Sequence, residues 1–239
     1  MTRTAVTFAL PAESSEFLRR LRNKSRGNRN GISTIRGIIA DREIEVLHTG
    51  VGEKVCRERL GKFLEDQQFD LLISTGFAGA LTDELQIGDL LLAKNFSTIE
   101  LNDRCSLSGL PIHTADLLTT PALIDSSEER NNVARASGAD AVDMETEFIA
   151  RACAAHGVPL LSLRVITDTP REPLPAPPHV LFNLERQQTD LVKLGSFFLT
   201  HPHRIPRVAQ FARRIASAKK ILANALVEVV STIQTGRGD

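Results

Sequence analysis

Two carboxylate side chains, Glu145 and Asp168, follow neighbouring strands that the sequence predicts within residues 141–170. A short apolar strand runs into the acidic turn Asp143-Met144-Glu145, and after a helix a buried strand over residues 160–166 runs on to Asp168. Open α/β sheets bind their ligands at the carboxyl ends of their strands. We therefore expect the two carboxylates to share a crevice, where they are suited to acid chemistry on a small molecule.

A third carboxylate, Glu13, lies at a predicted junction between a strand and a helix. Each of the three residues also has a purely structural explanation. A glutamate in the first turn of a helix interacts favourably with the helix dipole, which applies to Glu13 and to Glu145. Asp168 can open the turn formed with Thr169 and Pro170. For each residue taken alone the structural explanation is the commoner one, so both interpretations stay open at this point.

The overall charge favours a small neutral ligand over a polyanion. Lysine plus arginine and aspartate plus glutamate both total 29, so the formal net charge is zero and nucleic acid is not an expected partner. The hydrophobic content of 42% is enough for a full core, and 239 residues can form one large α/β domain or two small ones. No change in composition and no Gly/Ser linker divides the chain. We therefore expect one domain over residues 1–239.

The cysteines and the apolar segments predict a cytoplasmic protein without a structural metal. Residues 1–8 lack the apolar core of a signal peptide, and no window approaches about 18 uninterrupted apolar residues. Cys56, Cys105 and Cys153 lie far apart, without CxxC or paired-histidine spacing, which argues against a disulfide framework and a zinc site. We expect three ordinary reduced thiols.

Strand-like and helix-like segments alternate along the first 170 residues, as is typical of an α/β fold. Further predicted strands cover residues 5–10, 32–40, 44–48, 71–74, 89–93 and about 113–119. Four helices are predicted in this part of the chain. The first ends near residue 21, the second runs from about 53 to 67, the third ends near residue 136, and the fourth covers residues 146–156. Residues 23–31 are polar and basic, which favours a loop or a hairpin turn.

The segment Thr75-Gly76-Phe77-Ala78-Gly79-Ala80-Leu81 is rich in small residues and follows the strand over residues 71–74. We interpret it as the turn by which the chain leaves that strand. Such a turn can expose backbone N–H groups to the oxygens of a ligand or a phosphate. A single GxxG pattern supports that role weakly, so an ordinary tight turn is the favoured interpretation.

The last third of the chain is predicted to be mainly helical after a proline-rich segment. Residues 170–178 hold five prolines, which excludes a regular helix and favours either a wrap over the site or a surface linker. Helices are predicted over residues 179–188 and 191–200, and a longer one after Pro206. Its apolar face is formed by Val208, Phe211, Ile215, Ala218, Leu222 and Ala225. The basic residues that lie largely off this face, and favour either a solvated surface or contact with a membrane surface, are Arg207, Arg213, Arg214, Lys219 and Lys220.

Four blocks together resemble the purine nucleoside phosphorylase and nucleosidase superfamily, and most closely the 5'-methylthioadenosine/S-adenosylhomocysteine nucleosidases. The blocks occur in the order of that family, over residues 5–170. They are Ala9-Leu10-Pro11-Ala12-Glu13; Thr49-Gly50-Val51-Gly52; the segment over residues 75–81 with Ile87-Gly88-Asp89; and Val142-Asp143-Met144-Glu145 with Arg164-Val165-Ile166-Thr167-Asp168. Leu199-Thr200-His201-Pro202 and the basic helix are similar to phosphorylase-type proteins associated with hopanoid biosynthesis.

The resemblance implies a three-layer α/β/α fold around a mixed sheet, a homo-oligomer with a dimer favoured, and no cofactor or metal. It also implies roles for the carboxylates. Asp168 matches the residue that gives a proton or a hydrogen bond to N7 of the purine, and Glu13 the residue that activates water. Glu145 matches the residue that binds the ribose hydroxyls, and Met144 packs on the sugar. The remaining substrate-binding residues expected in these blocks and at the base-facing strand end are Asp143, Gly76, Phe77, Ala78, Ile124 and Thr167.

These roles suit cleavage of an N-glycosidic bond, because the reaction needs an acid at the base and a nucleophile at the sugar. Asp168 must then hold or share a proton near neutral pH, which we expect apolar burial to achieve. Hydrolysis of an adenine nucleoside is the favoured function. Phosphorolysis, including that of an adenosylhopane-like substrate, is the alternative, but residues 11–13 and 73–74 lack the phosphate-binding arginines of bacterial phosphorylases. A non-enzymatic nucleoside-binding protein is a third alternative, against which the presence of all three carboxylates argues.

Overall fold

The computed structural model describes residues 3–66, 68–99, 109, 112–124, 126–175 and 205–233. Within these ranges the chain forms one mixed ten-stranded sheet and five helices. The strands are β1 (Arg3–Phe8), β2 (Arg22–Arg29), β3 (Ile32–Ile39), β4 (Arg42–His48), β5 (Leu71–Ala80), β6 (Leu90–Ala93), β7 (Ile112–Ala115), β8 (Leu117–Thr119), β9 (Ala141–Asp143) and β10 (Leu160–Asp168). The helices are α1 (Pro11–Arg20), α2 (Glu53–Leu64), α3 (Ser127–Ser137), α4 (Thr146–Ala155) and α5 (Ile205–Thr232).

The centre of the sheet is parallel, and antiparallel pairs flank it at β2-β3-β4 and at β10-β6. The strand order is β2-β3-β4-β1-β5-β10-β6-β7, and β9 pairs with both β5 and β8. β1 runs parallel to β4 and β5, and β5 runs parallel to β10. All nine residues of β10 are buried, as is usual for a parallel strand covered on both faces. The carboxyl ends of β1, β4, β5 and β10 consequently meet at one edge of the sheet.

Helices cover both faces of the sheet, which confirms the predicted three-layer α/β/α arrangement. On one face α1 and α5 pack against each other and the sheet, around a core that includes Phe17 and Leu226. On the other face α2 and α4 pack together, around a core that includes Phe63 and Ile149. Each of these four helices places one apolar side towards the core and the rest in solvent.

The apolar face predicted for the last helix is buried in its second half and partly exposed in its first. Ala218, Leu222 and Ala225 are buried against the sheet layer, whereas Val208, Phe211 and Ile215 remain partly exposed. Among the basic residues, Arg207, Arg213 and Lys220 are exposed, and Arg214 forms an ion pair with Glu172.

Residues 23–31 form most of an edge strand, so the predicted loop is wrong except at its tip. Arg29 pairs with Ile32, and the two residues between them, Asn30 and Gly31, both have positive φ (48° and 82°). Two left-handed residues are what a tight hairpin turn requires. The strand escaped prediction because its side chains are polar and largely exposed, without an alternating apolar face.

The glycine-rich segment over residues 75–81 is not a turn, because β5 continues through it to Ala80. Gly76 and Gly79 pair with Arg164 and Asp168 of β10 in the ladder. The expectation that this segment exposes backbone N–H groups as a turn is therefore wrong. The glycines instead leave room for side chains from neighbouring elements, as described below.

Two further predictions need correction. The strand predicted over residues 113–119 is split into β7 and β8, which pair with different partners. β9 and β10 are not adjacent either, because β5 lies between them: Gly79 pairs with Val142 on one side and with Asp168 on the other. β9 runs antiparallel to β5, so its end turns back along β5 towards Gly76.

Several predictions lie outside the described residues. They include the helices over residues 179–188 and 191–200, Cys105, and the end of the proline-rich segment beyond residue 175. Cys56 and Cys153 are buried free thiols, as predicted, and burial raises the pKa of both to about 12. Of the helices in the described part of the chain, none is sufficiently long and apolar to span a membrane.

Candidate active site

Glu13 lies in the first turn of α1, where its side chain folds back over the end of β1. Its Oε2 atom accepts hydrogen bonds from the backbone N–H groups of Ala9 (3.1 Å) and Leu10 (3.4 Å). The structural explanation for this residue is therefore right, since Glu13 satisfies N–H groups at the start of a helix. The same carboxylate also faces a cavity beside Gly76, so a chemical role is compatible with the structural one.

Glu145 is positioned by the turn Thr49-Gly50-Val51-Gly52. Its Oε1 atom accepts a hydrogen bond of 3.2 Å from the backbone N–H of Gly52. Gly52 has a φ of 89°, which an L side chain rarely adopts. The turn itself is fixed to the end of β1, because the N–H groups of Thr49 and Gly50 donate to the carbonyls of Phe8 and Ala9. Glu13 and Glu145 are thus held by two neighbouring segments at one edge of the sheet.

A buried arginine, Arg164, stands between the two glutamates and Asp143. Its Nε and Nη2 atoms both lie 3.1 Å from Oδ2 of Asp143, and Nη2 also donates to Ser74 Oγ at 2.8 Å. Asp143 in turn accepts hydrogen bonds from Thr119 Oγ1 (2.8 Å) and from the side chain and backbone of Thr146. The predicted contact of Asp143 with substrate stays a prediction, and the hydrogen bonds that its carboxylate accepts from described residues all lie within this network.

Glu13, Glu145, Arg164 and Thr75 line a cavity of about 20 Å³. This volume corresponds to about one water position. The hydroxyl of Thr75 is buried and has no hydrogen-bond partner among the described residues. Buried water usually occupies sites where polar groups would otherwise be unsatisfied. The cavity therefore combines the size, the polarity and the unsatisfied hydroxyl that one bound water needs.

The two glutamates that line the cavity both have raised pKa values. Burial raises the pKa of Glu13 from 4.5 to about 7, against the lowering effect of its backbone hydrogen bonds and of Arg164. Burial, followed by the negative charges of Asp143 and Glu13, raises the pKa of Glu145 to about 8. Carboxyl groups that titrate near neutral pH are suited to proton transfer at that pH.

His48 also lies near this edge of the sheet, but its ring is not suited to act as the base. Its Nε2 atom is 2.8 Å from Ser14 Oγ, and Ser14 already donates to the carbonyl of Pro11. Burial, together with the charge of Arg59, lowers the pKa of His48 to about 4, so the ring is neutral near pH 7.

Asp168 ends β10 and its surroundings differ from those expected. Its Oδ2 atom accepts a hydrogen bond from Nη2 of Arg130 on α3, and its Oδ1 atom accepts one of 2.8 Å from Thr167 Oγ1. Asp168 is buried, as predicted. The expectation that its surroundings are apolar is wrong, however, because a guanidinium group lies directly against it.

Gly79, unlike Gly76, is needed for the side chains of this site to approach β5. A Cβ atom at Gly76 would lie 3.5 Å from Glu13 Oε2, which is an ordinary contact. A Cβ atom at Gly79 would lie 2.8 Å from Asp168 Oδ2 and 3.0 Å from Arg130 Nη1, which is too close. Gly79 is therefore required beneath the pair formed by Asp168 and Arg130.

The remaining predicted site residues divide between the two ends of this region. Gly76 and Phe77 line the water-sized cavity with Glu13 and Glu145. Ala78 and Ile124 lie at the Asp168 end, where their carbonyl oxygens accept from Thr167 and Arg130 respectively. Met144 is buried. The residues that do not line the cavity are Asp143, Met144, Ala78, Ile124, Thr167 and Asp168.

Sequence reasoning missed three residues that organise the site: Arg130, Arg164 and Thr75. Arg164 did carry a signal, because a charge inside the apolar run Leu160–Asp168 is unusual for a buried strand. Thr75 and Arg130 carried none. A threonine beside glycines and an arginine in a polar helix are ordinary residues until the fold shows them to be buried.

Other kinds of site are less well supported in the described part of the chain. A larger cavity of about 330 Å³ opens at the opposite end of the sheet, among Arg3, Arg29, Arg36 and Phe69, and includes none of the predicted site residues. Its buried Glu45 is already satisfied by Arg29, Thr34 and Arg36. In the described part of the chain, no group of three or more His, Cys, Asp or Glu side chains is placed so that it could hold a metal ion.

The fold and the arrangement of carboxylates at the carboxyl edge of the sheet agree with a family match. Residues 3–102 and 97–199 match the Phosphorylase superfamily. The match spans well over half of the chain, and the protein belongs to this family.

Individual relatives are nucleosidases. The chain is 25% identical over 162 residues to the 5'-methylthioadenosine/S-adenosylhomocysteine nucleosidase of Staphylococcus aureus (strain MRSA252), which covers 55% of this chain and 71% of that protein. The fold of the present chain is similar to that of the Campylobacter jejuni 5'-methylthioadenosine/S-adenosyl homocysteine nucleosidase. The TM-score is 0.71 at 17% identity, over 98% of this chain and 100% of that one. A mutant futalosine hydrolase of Helicobacter pylori gives a TM-score of 0.68 at 15% identity, over 98% of this chain and 100% of that one.

Proposed function

We propose that the protein is a purine nucleosidase, which hydrolyses the N-glycosidic bond of an adenine nucleoside. The observation that carries this proposal is the water-sized cavity lined by Glu13, Glu145, Arg164 and Thr75, whose hydroxyl has no hydrogen-bond partner among the described residues. A water in this cavity is the nucleophile of the proposed reaction. Glu13, whose pKa is raised to about 7, is the base that activates it.

The proposed reaction moves two protons. Glu13 takes a proton from the water. At the same time the oxygen of that water bonds to C1' of the ribose, and the bond from C1' to N9 breaks. The electron pair of that bond goes to the base, and the sugar passes through an oxocarbenium-like state. Asp168 gives a proton to N7, so the base leaves as a neutral purine. The products are free base and ribose, and the proton on Glu13 returns to Asp168 through solvent.

We assign the substrate-binding residues to the two ends of this site. Glu145 binds the ribose hydroxyls and Met144 packs on the sugar, with Gly76 and Phe77 beside them at the cavity. Ala78, Ile124 and Thr167 lie on the side of the base with Asp168. Asp143 acts through Arg164, because its described hydrogen bonds are within that network.

Water fits the cavity better than phosphate does. About one water position is available, whereas a phosphate with four oxygens needs several. Two carboxylates face the space, and they would repel a dianion. Arg164 is the cation in its wall, and its hydrogen bonds to Asp143 and Ser74 already engage it. These features favour hydrolysis over phosphorolysis.

The relatives suggest which nucleoside to try first. The named S. aureus and C. jejuni proteins are nucleosidases of 5'-methylthioadenosine and S-adenosylhomocysteine, so a 5'-thioadenosine is the first candidate. The H. pylori neighbour is a futalosine hydrolase, which shows that this fold accommodates a different nucleoside. We therefore assign cleavage of the N-glycosidic bond to an adenine base, with a 5'-thioadenosine as the first substrate to test.

The test is incubation with methylthioadenosine, adenosine and inosine, with and without inorganic phosphate. Hydrolysis predicts free base and ribose at a rate independent of phosphate, and a loss of about 10²- to 10⁴-fold in the Asp168→Asn variant. Glu147→Gln, at an exposed ion pair on α4, is the control and should keep full turnover. Ribose 1-phosphate as product would establish phosphorolysis instead. Binding of nucleoside without turnover would indicate a nucleoside-binding protein.

Assembly and location remain predictions from the sequence. We propose a cytoplasmic homodimer, which light scattering after size-exclusion chromatography tests. Membrane contact through the basic residues of α5 is tested by sedimentation with anionic vesicles. Arg213→Glu should weaken any such binding, since Arg213 is exposed.

A further inference from the structure

Arg130 is a deeply buried charged side chain near the candidate site. It lies in the first part of α3 and is only 1% exposed. Its Nη1 atom donates to the carbonyl of Ala80 (2.8 Å), and Nη2 donates to the carbonyl of Ile124 (3.0 Å) and to Oδ2 of Asp168. One guanidinium thus joins the end of β5, the loop before α3 and the end of β10.

Stability alone is a poor explanation for this arginine. Removing a guanidinium from water is unfavourable, and an apolar side chain of similar size often stabilises a protein as well or better. Arg130 also leaves its buried Nε group without a partner among the described residues. Its position is better explained by the residue that it contacts, Asp168.

The two oxygens of Asp168 are held in different ways. Oδ2 accepts from the fixed guanidinium of Arg130, and Oδ1 accepts from the hydroxyl of Thr167 at 2.8 Å. A hydroxyl can rotate, and Thr167 Oγ1 has a second acceptor in the carbonyl of Ala78 at 3.4 Å. Rotation towards Ala78 frees Oδ1 to carry a proton while Oδ2 stays bound to Arg130. Oδ1 is consequently the oxygen that can face the base as an acid.

We propose that Arg130 is a positioning residue of the reaction, acting through Asp168. This inference rests on the proposed nucleosidase function. When the proton moves from Oδ1 to N7 and the electron pair of the glycosidic bond goes to the base, Asp168 becomes a carboxylate. The guanidinium on Oδ2 stabilises the negative charge that appears there. Arg130 therefore contributes most after proton transfer has begun.

Gly79 is part of the same arrangement. Any Cβ at this position would lie within 2.8 Å of Asp168 Oδ2 and 3.0 Å of Arg130 Nη1, so a side chain here would separate the pair. The strand therefore leaves open the space in which the cation and the carboxylate meet.

The test separates the charge of Arg130 from its bridging of two carbonyls. Arg130→Lys keeps the charge, Arg130→Gln keeps a neutral donor, and Arg130→Met keeps neither. The proposal predicts that kcat on the best nucleoside falls in the order Arg, Lys, Gln and Met, with Gln and Met at least about tenfold below Lys. KM should change less than kcat. Arg135→Met, on the exposed side of the same helix, is the matched control and should retain wild-type kcat.

A merely structural role predicts a different pattern. If Arg130 only bridges Ala80 and Ile124, Gln should serve as well as Lys, and kcat should follow thermal stability across the series. Either result would overturn the proposal, as would an Arg130→Met variant within about threefold of wild type. If Arg130→Met does not fold, the comparison of Lys with Gln still decides.

A double-mutant cycle adds a second readout. If Arg130 acts through Asp168, Arg130→Gln should change kcat by less than about threefold in an Asp168→Asn background. Equal losses in both backgrounds would contradict the proposal. Failure of the proposed function is distinguishable, because Asp168→Asn alone would then retain most of its turnover whatever the Arg130 variants do.

Discussion

The guanidinium of Arg164 and the carboxylate of Asp143 form a buried pair, with Nε and Nη2 both 3.1 Å from Oδ2. The residues are 2% and 6% exposed respectively. The pair links β10 to the end of β9, and Arg164 lines the cavity together with Glu13 and Glu145. The charge balance of the site therefore depends on a residue pair that does not itself take part in the proposed proton transfers.

Asp143→Asn should destabilise the fold, because it leaves Arg164 buried without its carboxylate. Breaking a buried pair in this way costs about 3–5 kcal/mol of unfolding free energy. Urea denaturation followed by circular dichroism measures the change. Asp83→Asn, which removes an exposed ion pair with Arg171, is the control and should leave the urea midpoint nearly unchanged. Equal midpoints for the two variants would show that the buried pair has no special stabilising role.

Glu13→Gln should stabilise the protein at pH 8 and have little effect at pH 5. The folded-state pKa of Glu13 is raised from 4.5 to about 7, so the folded protein binds more protons than the unfolded chain between these values. Stability therefore falls as pH rises through this window. A glutamine avoids this loss, which we expect to amount to about 1–3 kcal/mol.

Thermal unfolding at pH 5, 6.5 and 8 checks this prediction for Glu13. Glu16→Gln is the control, since this residue lies on the same helix in a surface ion pair with Arg19. A variant whose stability relative to wild type does not change with pH would mean that Glu13 has an ordinary pKa in the folded state.

The rate of base release should fall as the pH drops below about 7. A base must be ionised to accept a proton, and Glu13 and Glu145 have pKa values raised to about 7 and 8. The two groups interact, so the midpoint belongs to the pair and is expected between these values. Measurement of kcat/KM from pH 5 to 9 gives the profile. A rate that stays constant down to pH 5.5 would exclude Glu13 as the base.

Gly79→Ala should lower both stability and turnover, because its Cβ would push Asp168 away from Arg130. We expect a loss of about 1–3 kcal/mol in stability, as is usual for overpacking, and at least about tenfold in kcat. Gly76→Ala is the matched comparison on the same strand. Its Cβ would make an ordinary contact of 3.5 Å with Glu13, so its thermal stability should stay close to that of wild type. Similar melting temperatures for the two variants would mean that the space at Gly79 is not required.

The parts of the fold that the sequence predicts are those in which local pattern and tertiary burial agree. β10 is a largely apolar run, β3 and β4 carry recurring isoleucine and valine residues among polar ones, and α4 has a clear start at Thr146, so their positions follow from the sequence pattern. β2 was missed because an exposed edge strand has no buried face to produce an alternating pattern. In β5, glycines suggested a turn, but the room that they leave for Glu13 and Asp168 depends on elements distant in sequence.

The candidate site likewise contains residues that the sequence predicts and residues that only the folded structure identifies. Glu13, Glu145 and Asp168 were found because they follow strands and match a family pattern. Arg130 was not found, because its burial results from the packing of α3 against the ends of β5 and β10, which no local pattern encodes. The water-sized cavity likewise exists only where side chains from β5, β10, α1 and the turn before α4 converge.

Both ends of the proposed chemistry are attached to one uninterrupted strand, β5. Thr75 stands at the cavity and Gly79 under Asp168, four residues apart, or about 13 Å along an extended chain. The length of β5 between these two residues thus sets the distance between the nucleophile and the leaving group. A single residue inserted or deleted within this stretch would change that distance. We expect that substrate specificity changes during evolution through the loops around the site, while the length of β5 stays constant.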